Sequence, residues 1–241
     1  MVSLQGTRIT WLGHATVLIQ TAKGTNLLID PFIAQNPKYP KNFDLPSKID
    51  YVLLTHGHGD HISDVVPVAK KHGSIVVAIY ELADYVASQG VDSSKTIGMN
   101  LGGTVELGDV AASMVDAKHS SGAQDKDGTH YVGVAAGYVL SISDGPVLYH
   151  AGDTHVFGDM RLIGELYHPD VAMLPIGGHY TMGPKEAALA ARYVGAKTVL
   201  PLHFGTFPPL KGTPDELAKL VDSSINVVPW KPGETVEAGG S

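Results

Sequence analysis

The sequence predicts an α/β fold in which two β-sheets pack together and helices cover their outer faces. Two observations support this prediction. Short apolar runs alternate with helical patterns in the first and last thirds of the chain, and a β-rich block at residues 104–149 lies between them. Because a sheet must bury its apolar face against another element, this order of blocks favours two packed sheets with helices outside.

The first third of the chain begins with strands. Apolar runs at residues 8–12, 16–20 and 26–29 are separated by glycine-containing turns, and they predict a β-meander. Residues 31–47 contain four prolines among asparagine and lysine residues. This composition predicts an ordered loop or lid, and loops of this length often border a functional site.

An α/β pattern follows this loop. Residues 51–55 are apolar and predict a buried strand. The apolar residues between Ile62 and Ala69 recur on one helical face, and Gly73 is expected to end that helix. A further strand is predicted at residues 74–78.

The last third alternates in the same way. Strands are predicted at residues 171–176, 198–202 and 225–228, and helices at residues 160–167, 185–194 and 214–221. The sequence contains no fixed-period repeat, low-complexity tract or linker. We therefore expect a single domain over residues 1–241.

The composition limits the possible functions. The chain has 241 residues, 44% of them hydrophobic and 17% charged, which is typical of a soluble globular protein. It has no cysteine but 12 histidines, so any transition-metal site must be built from imidazole and carboxylate. The net charge is −7, and the longest basic cluster is Lys70-Lys71, which argues against nucleic-acid binding.

Membrane insertion is not expected either. No stretch of the sequence approaches the roughly 20 apolar residues of a membrane span. The first eight residues show no basic region followed by an apolar one, so no export signal is predicted there. We therefore expect a cytoplasmic protein.

The strongest chemical signal is the run His56-Gly57-His58-Gly59-Asp60-His61, which directly follows a predicted strand. An extended backbone would place His56, His58 and Asp60 on one side. Asp60 would then lie near the start of the following helix, with His61 in its first turn. Three imidazoles and a carboxylate at one strand end would cost desolvation energy unless they bound something. The run therefore predicts a metal site.

Three more polar residues follow apolar runs in the same manner, namely His119, Asp153 and His203. Taken alone, each has a more ordinary interpretation, because single histidines are usually structural and an Asp-Thr pair is usually a turn. The run at residues 56–61 changes this assessment. Its four side chains could complete two metal shells only with further imidazoles and a bridging carboxylate.

Together these motifs resemble the metallo-β-lactamase superfamily over nearly the whole chain. Other segments are similar to a narrower branch, the UPF0173-like metal-dependent hydrolases, related to the ascorbate-phosphate lactonase and N-acyl-phosphatidylethanolamine phospholipase groups. These segments are residues 11–16, 28–31, 117–122, 174–184 and 202–206. The resemblance implies a four-layer αββα sandwich of the metallo-β-lactamase fold, in agreement with the block pattern.

The resemblance also implies two divalent transition-metal ions. Zinc is expected, although imidazole and carboxylate would also accept manganese, nickel or iron. The implied ligands are His56, His58 and His119 for one ion and Asp60, His61 and His203 for the other, with Asp153 as the bridge. The candidate catalytic residues are Asp60, Asp153 and His179.

Three residues belong to the narrower branch. Asp30, at the end of an apolar strand, could orient a ligand imidazole through its other nitrogen, or it could be a turn carboxylate before Pro31. His14 and His179 lie in loops with glycine. They could contact substrate or donate a proton, or they could have ordinary hydrogen-bonding roles.

The leading functional hypothesis is hydrolysis of an ester-type bond in a small molecule, such as a lactone, phosphodiester or thioester. The nucleophile would be a water or hydroxide held between two metal ions and oriented by Asp153. One alternative is a diiron redox protein of the same fold, which is disfavoured because such members carry a carboxylate where His58 stands. A metal-stabilised regulatory protein without turnover is a second alternative, and a homo-oligomer is possible.

Overall fold

The first β-sheet contains the N-terminal strands and one strand from the C-terminal end, in a computed structural model that describes residues 3–237. Within the described residues its strands are β1 (Arg8–Trp11), β2 (Val17–Gln20), β3 (Asn26–Ile29), β4 (Tyr51–Leu53), β5 (Ile75–Ile79), β6 (Thr96–Met99) and β16 (Thr235–Val236). Their spatial order is β16-β1-β2-β3-β4-β5-β6. The pairs from β16 to β3 are antiparallel, which confirms the meander, and the pairs from β3 to β6 are parallel. Residues 1–2 and 238–241 of the predicted domain lie outside the described residues.

The second sheet combines the central β block with strands from the last third of the chain. In the described part of the chain its strands are β7 (Thr104–Leu107), β8 (Val110–Asp116), β11 (Ala136–Ile142), β12 (Val147–His150), β13 (Val171–Pro175), β14 (Thr198–Leu202) and β15 (Asn226–Val227), in the spatial order β15-β14-β13-β12-β11-β8-β7. A separate hairpin is formed by β9 (Gly122–Asp125) and β10 (Gly128–Tyr131). The block at residues 104–149 therefore supplies only part of this sheet.

Six α-helices are found within residues 3–237. They are α1 (Gly59–Ile62), α2 (Val65–His72), α3 (Tyr80–Ser88), α4 (Met160–Tyr167), α5 (Pro184–Val194) and α6 (Pro214–Ala218). As predicted, α2 ends at Gly73, whose φ of 66° is the left-handed conformation that glycine adopts without a steric cost. The helix predicted from Ile62 onward is divided into α1 and α2, and the helix predicted to reach residue 221 ends at Ala218.

The side chains of β13 and β14 show how the layers are stacked. Val171 and Met173 belong to the core between the two sheets, whereas the intervening Ala172 packs in a second core with residues of α4 and α5. Leu200 and Val199 divide in the same way. This alternation with a period of two places one face of the sheet on the other sheet and the opposite face on helices.

The first sheet is covered by α2 and α3, whose buried side chains pack against β5 and β6. Helices therefore lie outside both sheets, and the predicted αββα sandwich is confirmed. Among the α-helices and strands named above, α3, β6 and β16 were not predicted. No helix in the described part of the chain is long and apolar enough to span a membrane.

The segments that follow the carboxyl ends of several strands lie at one end of the sandwich. In the second sheet, β8 and β12 are both antiparallel to β11, so they run in the same direction. The strands β12, β13 and β14 are parallel, and their carboxyl ends therefore lie at that same edge. The first sheet joins there, because Ala136 N–H donates to Thr55 O (2.9 Å) and Tyr138 Oη–H donates to Leu54 O (3.0 Å). This edge is where the candidate donors meet.

Candidate metal centre

The histidine-rich run leaves β4 in an extended conformation that ends at His58. His56 Nε2 and His58 Nδ1 are 3.0 Å apart, so the predicted alternation does bring these two rings together. The ring of His119 lies 5.1 Å from each of them, between ring centroids. The helix α1 begins at Gly59, however, so the extended backbone ends before Asp60, whose carboxylate belongs to a different group of donors. The extended conformation on which the expectation for Asp60 depends therefore does not reach that residue.

The donor atoms fall into groups. In three groups of described residues, one donor atom from each residue lies within 4.8 Å of those of the others. One group is His56, His58 and His119, and another is His14, Asp60, His61 and His203. A third group joins Asp30 to His56 and His61. The first two groups contain the two ligand trios that the family resemblance implies.

Asp153 lies between the two groups. Its Oδ2 atom is 3.1 Å from His203 Nε2, 3.5 Å from His61 Nε2 and 3.7 Å from His119 Nε2. The turn that carries Asp153 depends on Gly152, whose φ is 62°. A Cβ atom at Gly152 would lie 2.6 Å from Ala136 O, so the close approach of the chain there requires glycine.

Four buried atoms at this point have no hydrogen-bond partner among the described residues. They are His61 Nε2, Asp153 Oδ1 and both ring nitrogens of His203, Nδ1 and Nε2. An unpaired buried polar atom costs about 1–3 kcal/mol, and four of them next to one another would be a large penalty. Imidazole nitrogen and carboxylate oxygen are ligands that divalent transition metals accept. The donor set therefore fits a bound cation.

Asp30 connects two of the imidazoles through a buried hydrogen-bond network. His61 Nδ1–H donates to Asp30 Oδ2 (2.8 Å), and Thr55 donates its hydroxyl to the same oxygen (2.6 Å) and its N–H to Oδ1 (2.8 Å). Because the Thr55 hydroxyl donates to Asp30, its oxygen accepts from His56 Nδ1–H (3.0 Å). Asp30 thus directs the Nε2 lone pairs of His56 and His61 toward the centre.

His14 supports the second group in a similar way. It is fully buried, its Nε2 lies 3.0 Å from Asp60 Oδ2, and its Nδ1 lies 3.0 Å from Thr206 Oγ1. The Thr206 hydroxyl therefore donates to Nδ1, and Nε2–H donates to Asp60. The His14 carbonyl also accepts the backbone N–H of His203 (2.9 Å). His14 thus orients a carboxylate and anchors the backbone of a neighbouring donor.

Two serines on the loop after β8 hold the histidine-rich run from the other side. Ser120 Oγ is 3.3 Å from His58 Nε2, and Ser121 Oγ accepts the N–H of Gly57 (3.2 Å). Reasoning from the sequence missed these serines as well as Thr55 and Thr206. Ser120, Ser121 and Thr206 lie within segments that carry the family resemblance, but nothing in the sequence shows which side chain they contact.

The charges of the centre follow from burial and proximity. Burial lowers the pKa of His14 to about 4 and, with His61 nearby, holds the pKa of His56 well below its ordinary value. Burial also disfavours a charged His61, but Asp153 and Asp30 outweigh it and raise its pKa well above the ordinary value. Burial alone would raise the pKa of Asp153, yet His203 and His61 hold it well below its usual range. Asp153 is thus an anionic centre among imidazoles.

Backbone strain is concentrated at the same place. Among the described residues, seven non-glycine residues have a positive φ, and four of them are His14 (57°), Asp30 (47°), His179 (61°) and His203 (53°). Such conformations cost roughly 1–3 kcal/mol each and persist where the surrounding structure imposes them. Their coincidence with the predicted site residues supports a functional role for this edge.

Comparison with known proteins identifies the family. Residues 25–204 match the family model described as a beta-lactamase superfamily domain. A UPF0173 metal-dependent hydrolase of Koribacter versatilis is 50% identical over 234 residues, which cover 97% of this chain and 99% of that protein. The chain belongs to this family of metal-dependent hydrolases. Another member, from Pyrococcus furiosus, is 46% identical to this hydrolase, with coverage of 95% and 99% respectively.

Solved structures agree with this assignment. Igni18, a metallo hydrolase from the archaeon Ignicoccus hospitalis, is 35% identical to this hydrolase and superimposes with a TM-score of 0.83, covering 95% of this chain and 97% of Igni18. CmlA, a diiron β-hydroxylase from Streptomyces venezuelae, has a TM-score of 0.76 at 14% identity, covering 98% of this chain and 55% of CmlA. The likeness to CmlA is one of fold alone. The metallo-β-lactamase fold is thus confirmed.

The centre of this hydrolase opens into a cavity of about 390 Å³. It is lined by His58, Asp60, His119, Ser120, Asp153, Tyr180, His203, Phe207 and Pro209. The predicted catalytic residue His179 is exposed and does not line the cavity, whereas its neighbour Tyr180 does. The two rings are perpendicular, with centroids 4.4 Å apart. The sequence did not predict Tyr180 as a lining residue. Its position differs by only one from that of His179, and the sequence does not show which of two adjacent side chains in a loop faces the cavity.

Proposed function

We propose that this hydrolase cleaves an ester-type bond in a small-molecule substrate, such as a lactone, phosphodiester or thioester, with two divalent transition-metal ions. Zinc is the expected metal, because the donors are imidazole and carboxylate. The observation that carries the proposal is that His61 Nε2, His203 Nε2 and Asp153 Oδ1 are buried next to one another without a hydrogen-bond partner among the described residues. A bound cation would satisfy these three atoms.

The proposed ligands are divided between two ions. His56, His58 and His119 would hold one ion, Asp60, His61 and His203 the other, and Asp153 would contact both. The separation of the donors into two groups supports this division, and so does the position of Asp153 Oδ2 within 3.7 Å of imidazole nitrogens from each group.

Asp30 and His14 are proposed as supports rather than ligands, although both belong to the donor groups. Both Asp30 oxygens already accept hydrogen bonds, from Thr55 and His61. Both ring nitrogens of His14 are engaged by Asp60 and Thr206. Such outer partners fix the tautomer and orientation of metal ligands.

Two bound ions would supply a water of lowered pKa and a Lewis acid for the negative charge that develops during hydrolysis. The protein's own groups have complementary tasks. Asp153, held anionic between imidazoles, would orient the attacking water, and Asp60 is kept in place by the hydrogen bond from His14. The cavity beside His119 and Ser120 offers room for the leaving group.

The test combines metal analysis with turnover. We expect the protein purified from zinc-supplemented medium to contain two ions per chain by inductively coupled plasma mass spectrometry. Asp153→Ala and Asp60→Ala should lower kcat/KM for a hydrolysed ester or lactone by more than the roughly 10–100-fold that loss of an outer partner causes. Asp144→Ala is the matched control, because Asp144 is an exposed carboxylate paired with Lys23.

Two outcomes would contradict the proposal. Undiminished turnover in the folded Asp153→Ala variant would exclude the proposed role of this carboxylate. A protein that binds two ions but hydrolyses none of a panel of lactones, phosphodiesters and thioesters would instead favour the regulatory alternative.

A further inference from the structure

The cavity is lined by two chemically different sets of side chains. The donor residues supply the polar set, whereas Tyr180, Phe207 and Pro209 supply aromatic and aliphatic surface. Ser120 is the remaining lining residue and carries a neutral hydroxyl. A substrate whose reacting group lies at the donors would therefore rest its other part against this apolar surface, which we call the apolar wall (Tyr180, Phe207 and Pro209).

The apolar wall is fixed relative to the donors. Phe207 packs edge-on against the ring of His14, with centroids 5.5 Å apart, and lies 6.4 Å from Phe32. The loop that carries Tyr180 is closed by a hydrogen bond from Gly178 N–H to Met182 O (3.1 Å). Met182 N–H in turn donates to the carbonyl of Thr154, the residue after Asp153 (3.1 Å). The position of Tyr180 is thus coupled to that of Asp153.

No lysine or arginine is among the described residues that line this cavity. The lysine nearest to the donors in sequence, Lys118, is paired with Asp116 and lies over the ring of Phe157, 5.7 Å from its centroid. Binding sites for carboxylate or phosphate groups usually contain arginine or lysine, because these side chains provide charged donors. The part of the cavity beyond the donors has no such group for a second anion.

We propose that this cavity selects substrates whose non-reacting part is uncharged and apolar, such as neutral aryl or alkyl esters and lactones, and that Tyr180 determines this specificity. The proposal rests on the proposed function, because it assumes that the reacting group binds at the metal centre. The exposed ring of Tyr180 offers a face for an aryl or alkyl group, which gains free energy by leaving water. A carboxylate placed against the same wall would lose its hydration without gaining a charged partner.

The test uses two metal-binding probes that differ in one charge. Benzohydroxamate and 4-carboxybenzohydroxamate share the group that would bind the ions, but only the second carries a carboxylate on its ring. Isothermal titration of the zinc-loaded protein should give a Kd at least tenfold lower for the unsubstituted probe. Tyr180→Arg should reduce this ratio at least tenfold, because it adds a charged donor to the wall, and Tyr180→Phe should preserve it.

Tyr131→Arg is the matched control. Tyr131 is also an exposed tyrosine, with 76% of its surface accessible against 58% for Tyr180, but it does not line the cavity. The proposal is overturned if the wild-type protein binds the carboxylate probe as tightly as the neutral one, if it binds neither probe, or if the two arginine variants give the same ratio.

The failure of the proposed function would have a different signature. The zinc-loaded protein could bind the neutral probe tenfold more tightly and yet hydrolyse neither neutral nor anionic esters. This result would contradict the proposed hydrolysis but support the proposed selectivity of the cavity. The esters 4-acetoxybenzoate and phenyl acetate differ by one ring carboxylate. Hydrolysis of both with equal kcat/KM would contradict the proposed selectivity but support the proposed hydrolysis.

Discussion

The buried and the exposed side of the candidate metal centre are held by different kinds of interaction. On the buried side, His56 and His61 are oriented through Asp30, which is completely shielded from solvent. On the exposed side, the ring of His58 is held by a 3.3 Å contact with Ser120, whose hydroxyl lies at the surface. On the buried side, the imidazoles are oriented by the Asp30 carboxylate, a charged group shielded from solvent. On the exposed side, the contact is made by the Ser120 hydroxyl, a neutral group at the surface.

This difference indicates which interactions fix the orientation of the imidazole rings. Hydrogen bonds to charged groups contribute about 1.5–3 kcal/mol each, whereas neutral ones contribute about 0.5–1.5 kcal/mol. We therefore infer that the geometry of the proposed ligands is set mainly from the interior, through Asp30. The exposed side, which includes His58 and His119, faces the cavity through which ions and substrate would enter.

Replacing Asp30 should have the largest effect. In Asp30→Asn the side chain keeps its shape but loses its charge, so it can no longer accept hydrogen bonds from both His61 and Thr55 on two equivalent oxygens. We expect zinc affinity to fall roughly 10–100-fold. The free energy of unfolding of the metal-free protein should fall by about 3–5 kcal/mol, because a buried charge pair is broken. Competition with a chelator and urea denaturation measure the two effects.

Asp170→Asn provides the control for this prediction. Asp170 also accepts a backbone hydrogen bond, from Val147 (2.9 Å), but it precedes β13 at the opposite edge of the sheet. It should lose stability without losing zinc affinity. If Asp30→Asn bound zinc as tightly as Asp170→Asn, the interior would not determine the order of the ligands.

His14 represents an intermediate case, since the imidazole is fully buried but one-third of the surface of the Asp60 side chain is exposed. We choose His14→Asn, because asparagine tolerates the left-handed φ of 57° at this position better than most residues. Its shorter side chain cannot reach both Asp60 and Thr206. We expect zinc affinity to fall by roughly tenfold at one of the two sites, which is the lower end of the range for an outer partner.

Zinc titration of His14→Asn should therefore show two classes of site that differ in affinity. A matched variant, Thr206→Val, removes only the hydroxyl that donates to His14 Nδ1 and should give a smaller change of the same kind. Equal loss at both sites in His14→Asn would indicate that the fold, rather than Asp60, had been disturbed.

The positions of the proposed donors at strand ends could be predicted, because each donor follows an apolar strand and strand ends are visible in a short stretch of sequence. The run after β4 and the residues after β8, β12 and β14 are all positioned in this way. The supports were harder to predict. His14 and Thr206 are 192 positions apart, and their hydrogen bond depends on two loops meeting at the edge of the sandwich. A single sequence contains no signal for such a contact.

The unpredicted elements have a related explanation. The strand β16 has two residues, and its partner β1 is near the other end of the chain, so its pairing is set by tertiary contacts. The helix α3 follows β5 directly, and Ile79 at its start provides no side-chain cap. The cavity is lined by Tyr180 rather than by the predicted His179, and His179 has a left-handed φ of 61°. The direction of the side chains in this loop therefore depends on a local turn that sequence periodicity does not predict.

The smallest effect is expected on the exposed side, from Ser120→Ala. The change removes one neutral hydrogen bond to His58, which is worth about 0.5 kcal/mol at the surface and corresponds to roughly a two- to threefold change in zinc affinity. Ser88→Ala is the control, since Ser88 is another exposed serine with a single hydrogen bond, to Tyr85 O. Chelator competition on both variants measures the difference. A loss for Ser120→Ala as large as that for Asp30→Asn would mean that the loop after β8 orders the ligands as strongly as the interior does, and the contrast between the two sides would disappear.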